Sequence, residues 1–124
     1  MTRGRSAIAT SCLLIQLACR AEIYRAAAQA TGGDPDRGAV AIHKYGCDSC
    51  HTIPGIRGAL AHVGPPLTEI GVRKYVAGQL SNTPDNLQTW IRHPRRVEPH
   101  TAMPDTGVTE IDGRDIAAYL YTLR

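Results

Sequence analysis

Tyr45-Gly46-Cys47-Asp48-Ser49-Cys50-His51-Thr52 is the stretch whose reading decides the fold. Within it, Cys47, Cys50 and His51 form C-x-x-C-H, a covalent haem-attachment pattern. Each part has a mechanical job. The two thiols add across the vinyl groups of a haem and become thioethers. The histidine that follows is held under the ring, where it ligates iron from one side. Three other readings compete. A structural zinc site uses four Cys or His ligands, usually in two clusters. This chain has one such Cys pair, and its other histidines, His43, His62, His93 and His100, are scattered. A thioredoxin-like redox pair would follow a strand in an α/β fold, whereas a helical pattern precedes Cys47. A plain disulfide would leave His51 without a role.

Working outward, Asp34-Pro35 opens a helix, because Asp is a good N-cap and Pro is favoured at the first helical position. Ala39, Val40 and Ile42 supply its apolar residues, and Gly46 closes it. Residues 53–64 hold several Gly and Pro and no clear period, which predicts loop, with at most a short helical turn after Pro65-Pro66. Thr83-Pro84-Asp85 starts a second helix with Leu87, Trp90 and Ile91 on one face, and Pro94 stops it. Residues 94–107 carry three prolines and are expected to be extended loop. Thr109-Glu110-Ile111-Asp112 resembles a capping box, and Ile116, Tyr119, Leu120 and Leu123 continue at helical spacing. No segment reads as a strand, and there is no internal repeat. The expected class is a small all-α domain, three main helices plus long loops that embrace a ligand.

The first thirty residues differ from the rest. Arg3 and Arg5 give a basic start, Ile8 to Ala18 is mostly apolar, and Ala28-Gln29-Ala30 supplies a small-x-small cleavage pattern. This reads as a secretory signal peptide over 1–30, cleaved after Ala30, leaving a domain over 31–124. The apolar stretch is short of the roughly 20 residues that span a bilayer. An uncleaved membrane-surface anchor, a disordered extension and a lipid-bearing Cys19 are the alternatives. Without the leader, Lys and Arg fall from 14 to 10 and Asp and Glu from 11 to 10. The basic balance therefore lies mainly in the leader and is no argument for nucleic-acid binding. Cys12 and Cys19 leave with it. The remaining chain of about 94 residues contains no Phe, and so small a domain is marginal on its side chains alone. A haem inside would help fill its core.

After Met1 the one methionine is Met103, in Thr101-Ala102-Met103-Pro104. A lone Met is commonly a core filler, but this one lies between prolines rather than on an apolar helical face. That favours it as the second iron ligand. Thioether sulfur stabilises ferrous iron, raises the reduction potential and closes the sixth position. His100, three residues upstream, is the main competitor, with His62 and His93 behind it.

The chain resembles class I c-type cytochromes, the monohaem cytochrome c family. The resemblance rests on Gly33-Asp34-Pro35-Asp36-Arg37-Gly38, Tyr45 to Thr52, Gly64-Pro65-Pro66-Leu67, Trp90-Ile91-Arg92-His93-Pro94, Pro99-His100-Thr101-Ala102-Met103 and Asp115 to Leu120. It implies the small cytochrome c fold wrapped around one covalently bound haem c, with His51 and Met103 on the iron. It implies that the Pro65 carbonyl accepts the ring N–H of His51 and that Thr101 lies near a propionate. It also implies that Gly38 meets Ala118 and Tyr119 where the first and last helices cross. Trp90 stands where many relatives have Tyr, so the hydrogen bonding around the methionine sulfur is expected to differ, because an indole N–H donates but cannot accept.

Charge is uneven. Residues 57–96 carry Arg57, Arg73, Lys74, Arg92, Arg95 and Arg96 against Glu69 and Asp85, a net of +4, whereas residues 97–124 sum to −3. The expected function is one-electron carriage in the periplasm by a low-spin His/Met haem, with no bond chemistry. Redox proteins such as a respiratory oxidase or dehydrogenase are the expected partners, met by a free monomer. Membrane association is expected through a partner or an N-terminal anchor alone. The rivals are a haem c subunit of a larger oxidase or dehydrogenase complex and an open-site haem enzyme or sensor.

Overall fold

The computed structural model describes residues 4–124, with side-chain surroundings from residue 15 onward. Arg3 and the side chains of Arg5, Ile8 and Cys12, read above as parts of a leader, lie outside that description. Helix α1 runs Gly4–Thr31, α2 Pro35–Lys44, α3 Pro84–Arg92, α4 Pro94–Val97 and α5 Glu110–Tyr121. The short strands β1, Tyr75–Val76, and β2, Leu80–Ser81, pair antiparallel. The architecture is all-α with long loops, as the helical periods predict.

The caps explain the helix starts. The Asp34 carboxylate accepts from the N–H groups of Asp36 at 2.9 Å and Arg37 at 3.0 Å, with Pro35 behind it. Thr83 caps α3 and Thr109 caps α5, each accepting from the N–H three residues on. These bonds satisfy donors that a helix N-terminus otherwise leaves without partners. The capping box at Thr109 is half formed. Asp112 donates its N–H to Thr109, but its carboxylate turns to Lys44 and Tyr45 instead. Gly46 takes a left-handed conformation at φ 71° and turns the chain out of α2 directly into Cys47, a geometry that glycine adopts at little cost.

Helices α2 and α5 form the main pair. A Cβ on Gly38 would lie 2.0 Å from the Asp115 carbonyl oxygen and 2.9 Å from Cβ of Tyr119. The bare glycine is therefore what allows the two backbones to touch. Beside the crossing, the buried Asp115 carboxylate accepts from Arg37 Nε at 2.7 Å, Arg37 Nη2 at 2.9 Å and the Asp34 N–H at 2.7 Å. Ile42, Ile53, Leu87, Ile91, Ile116 and Leu120 form the core between α2, α3 and α5.

Three expectations are corrected. Residues 75–81 form a hairpin whose turn places both Ala77 and Gly78 in left-handed backbone. Its two-residue strands are too short to show an alternating pattern. Pro94 does stop α3, but it also begins α4, because a ring that breaks one helix is pre-set for the first position of the next. Val40, one of the apolar residues read into this helix, is exposed instead of buried with Ile42. At the other end, α1 continues through Ala30, and Ala27 and Thr31 are buried in packing that involves α5. Among the described residues, no helix is long and apolar enough to cross a membrane.

Candidate haem site

One cavity of about 400 Å³ lies between the Cys-His segment, the 63–78 region, α3 and the 101–106 loop. The structure brings all the expected site residues to it: Cys47, Cys50, His51, Pro65, Trp90, Thr101 and Met103 line it together. Local geometry places the first three. After Gly46, one 3-10 turn over Cys47–Ser49 puts Cys47 and Cys50 one turn apart, and the N–H of His51 donates to the Cys47 carbonyl at 3.1 Å.

The ring of His51 is held from behind. Its Nδ1 lies 2.7 Å from the Pro65 carbonyl oxygen. A carbonyl only accepts, so Nδ1 carries the proton and Nε2 keeps its lone pair for a metal. Gly64, which carries no sign of a role in the sequence, packs directly against that ring. A Cβ there would sit 2.3 Å from Cε1 of His51, 2.7 Å from Nδ1 and 2.9 Å from Nε2. The Gly64 N–H also donates to the Cys50 carbonyl at 2.7 Å. Residues 64 and 65 thus form a backbone cradle that fits only against a bare glycine.

Across the cavity, Met103 is half-buried, and its N–H donates to Thr101 Oγ1 at 3.2 Å. His62, His93 and His100 do not line the cavity, and His100 is exposed with its N–H on the Glu98 carboxylate. Arg73, read in the sequence only as one of several charges, also lines the cavity. Its Nη2 donates to the carbonyls of Pro66 and Thr68, both at 2.7 Å, which leaves its charge at the cavity wall. Leu67, Ile70, Val76, Leu87, Ile91 and Leu120 make the rest of the lining largely apolar. Burial pushes the Cys47 thiol up to about 11, so the free side chain is a neutral thiol at neutral pH. Cys47 and Cys50 are not joined to each other. Among the described residues, no three Cys, His, Asp or Glu side chains converge as a metal cluster would require.

These residues fit a haem. The volume and the apolar lining suit a cofactor pocket of roughly 300–1,000 Å³. The donors are an imidazole nitrogen and a thioether sulfur, with two thiols at the wall and one guanidinium available to a carboxylate.

Fold and site together define a small helical haem-binding domain. The protein-family model for cytochrome c matches residues 35–124, and the chain belongs to the cytochrome c family. Membership carries haem c and electron transfer with it. The chain is 32% identical over 90 residues to cytochrome c oxidase subunit 2 of Alkalihalophilus pseudofirmus, covering 72% of this chain and 25% of that protein. It is 32% identical over 88 residues to cytochrome c oxidase subunit 2 of Bacillus sp. (strain PS3), covering 68% and 25%. The chain therefore spans about a quarter of the length of the curated relatives it matches. No solved structure matches it.

Proposed function

We propose that this chain is a monohaem electron carrier in which Cys47 and Cys50 hold haem c through thioethers and His51 and Met103 are the axial ligands. The observation that carries the reading is the convergence of those four side chains on one largely apolar cavity, with Nδ1 of His51 already engaged by Pro65. Haem c supplies one-electron chemistry between ferric and ferrous iron. The residues of this chain do the rest. Pro65 and Gly64 fix the imidazole plane, and the Pro65 bond increases its basicity. With haem bound, the Met103 sulfur would hold the iron from the side away from the Cys47–His51 segment and would favour its ferrous state. Arg73 and Thr101 offer donors to propionates. The apolar lining excludes water, so little solvent has to reorganise when the charge changes. With His51 and Met103 both holding the iron, no open position would remain for bond chemistry. Absence of carbon monoxide binding to the reduced protein at neutral pH is the expected result, and ready binding would overturn that part of the reading.

The leader features at Arg3, Arg5, 8–18 and Ala28-Gln29-Ala30 support export to a bacterial periplasm, with removal of residues 1–30. N-terminal sequencing of the exported protein should begin at Thr31. The exposed side chains of Arg57, Lys74, Arg95 and Arg96 support docking of a free monomer on an acidic redox partner. Rates of electron transfer to that partner should fall as salt rises.

A second reading is favoured by a specific observation. Both curated relatives are oxidase subunits of which this chain matches a quarter. On that reading, the domain is the haem c part of a larger respiratory complex. Gel filtration of native extract separates the two: elution as a small haem protein supports the free carrier, and co-elution with a large complex supports the subunit.

A further inference from the structure

The loop that carries Met103 is weakly held. Among the described residues, every hydrogen bond made by residues 99–108 stays within the loop or returns to Glu98 just before it. Its side chains are mostly exposed, with Val108 the buried exception. Fastening comes from outside, at each end. Upstream, Gln79 Nε2 donates to the Val97 carbonyl at 3.3 Å and the Glu98 carboxylate at 3.4 Å.

Downstream, the fastening is stronger. The Asp112 carboxylate accepts from the Tyr45 hydroxyl at 2.6 Å and from Lys44 Nζ at 2.8 Å. The Thr109 N–H reaches the same hydroxyl at 3.5 Å, and Thr109 caps Asp112 in turn. Lys44 also lies over the Tyr45 ring, 4.9 Å from its centre. Tyr45 is two residues before Cys47 and is itself among the residues that line the cavity. Thr109 and Asp112 directly follow the Met103 loop.

We propose that Tyr45, Asp112 and Lys44 form a latch that ties the methionine-bearing loop to the Cys47–His51 segment. Tyr45 and Asp112 are positioning residues: they act on iron ligation through the loop and touch neither ligand. Opening the latch raises the fraction of molecules in which the loop lifts and Met103 leaves the sixth position. An exogenous ligand binds only that fraction, so its apparent affinity reports the opening equilibrium. The inference rests on Met103 ligation as proposed above.

The test is imidazole titration of the ferric, haem-loaded protein, with denaturant unfolding followed in parallel by circular dichroism. Tyr45→Phe keeps the ring at the cavity wall and removes the hydroxyl, and Asp112→Asn removes the shared charge. Each should raise imidazole affinity about tenfold, the effect of losing one hydrogen bond to a charged partner. The double variant should rise little further, since the two act as one unit. The unfolding free energy should fall by less than the free energy by which imidazole binding rises. Unchanged imidazole affinity in both variants overturns the latch, as does a rise matched by an equal loss of global stability, which is the mark of a merely structural role. A wild-type ferric protein with no sulfur-to-iron absorption band overturns Met103 ligation itself, and the latch with it.

Discussion

Replacing Gly64 with alanine should damage the haem site out of proportion to the single methyl group added. The new Cβ would fall 2.3 Å from Cε1 of His51, 2.7 Å from Nδ1 and 2.9 Å from Nε2. Comfortable carbon contacts lie near 3.5–4.0 Å, so the ring or the backbone must move by roughly 1 Å. The ring cannot slide away freely, because Nδ1 is bound to the Pro65 carbonyl at 2.7 Å and Cys50, one residue earlier, would be tethered. Overpacking of this kind costs about 1–3 kcal/mol, and a strained or lost hydrogen bond adds about 1 kcal/mol. The total is about 2–4 kcal/mol. Denaturant unfolding of haem-loaded wild type and Gly64→Ala would measure it, and the oxidised spectrum would show weakened low-spin ligation. A variant with wild-type stability and an unchanged low-spin spectrum would mean that the cradle has room for a methyl group, contrary to the 2.3 Å approach.

Other outcomes follow from the same contacts. Gly38→Ala should cost about 1–3 kcal/mol of stability, since its Cβ would meet the Asp115 carbonyl at 2.0 Å; a thermal melt checks this, and an unchanged melting temperature counts against a backbone-close crossing of α2 and α5. Acid should weaken the fold through Asp112. Lys44 and then Tyr45 hold its carboxyl below the ordinary value. A folded value below the unfolded one means that the contribution is complete above about pH 4 and disappears as pH falls through the folded value. An Asp112→Asn variant should therefore show a flatter stability curve below about pH 4 than wild type, and identical acid curves would contradict the assignment.

Much of this was legible in the sequence because it is local. Asp34, Thr83 and Thr109 announce helix starts by residue type and cap the helices they announce. The C-x-x-C-H pattern is contiguous, and Met103 stood out because its proline-flanked loop gave it no packing face. What escaped is non-local or too short to have a period. The Gly64 contact with His51 joins residues thirteen apart through a close approach that no composition signals. The Asp112 carboxylate reaches 67 residues back to Tyr45, where the local pattern suggested it would serve its own helix. Arg73 read as one charge among several, although its carbonyl partners hold it at the cavity wall. The 75–81 hairpin has Ala77 in a left-handed turn, a conformation that alanine does not advertise.

The central claim is a haem c ligated by His51 and Met103. The oxidised and reduced absorption spectra of wild type and Met103→Ala test it most directly. Wild type should give a low-spin haem c spectrum with a weak sulfur-to-ferric-iron band, and that band should disappear in Met103→Ala. Persistence of that band in the variant would contradict it.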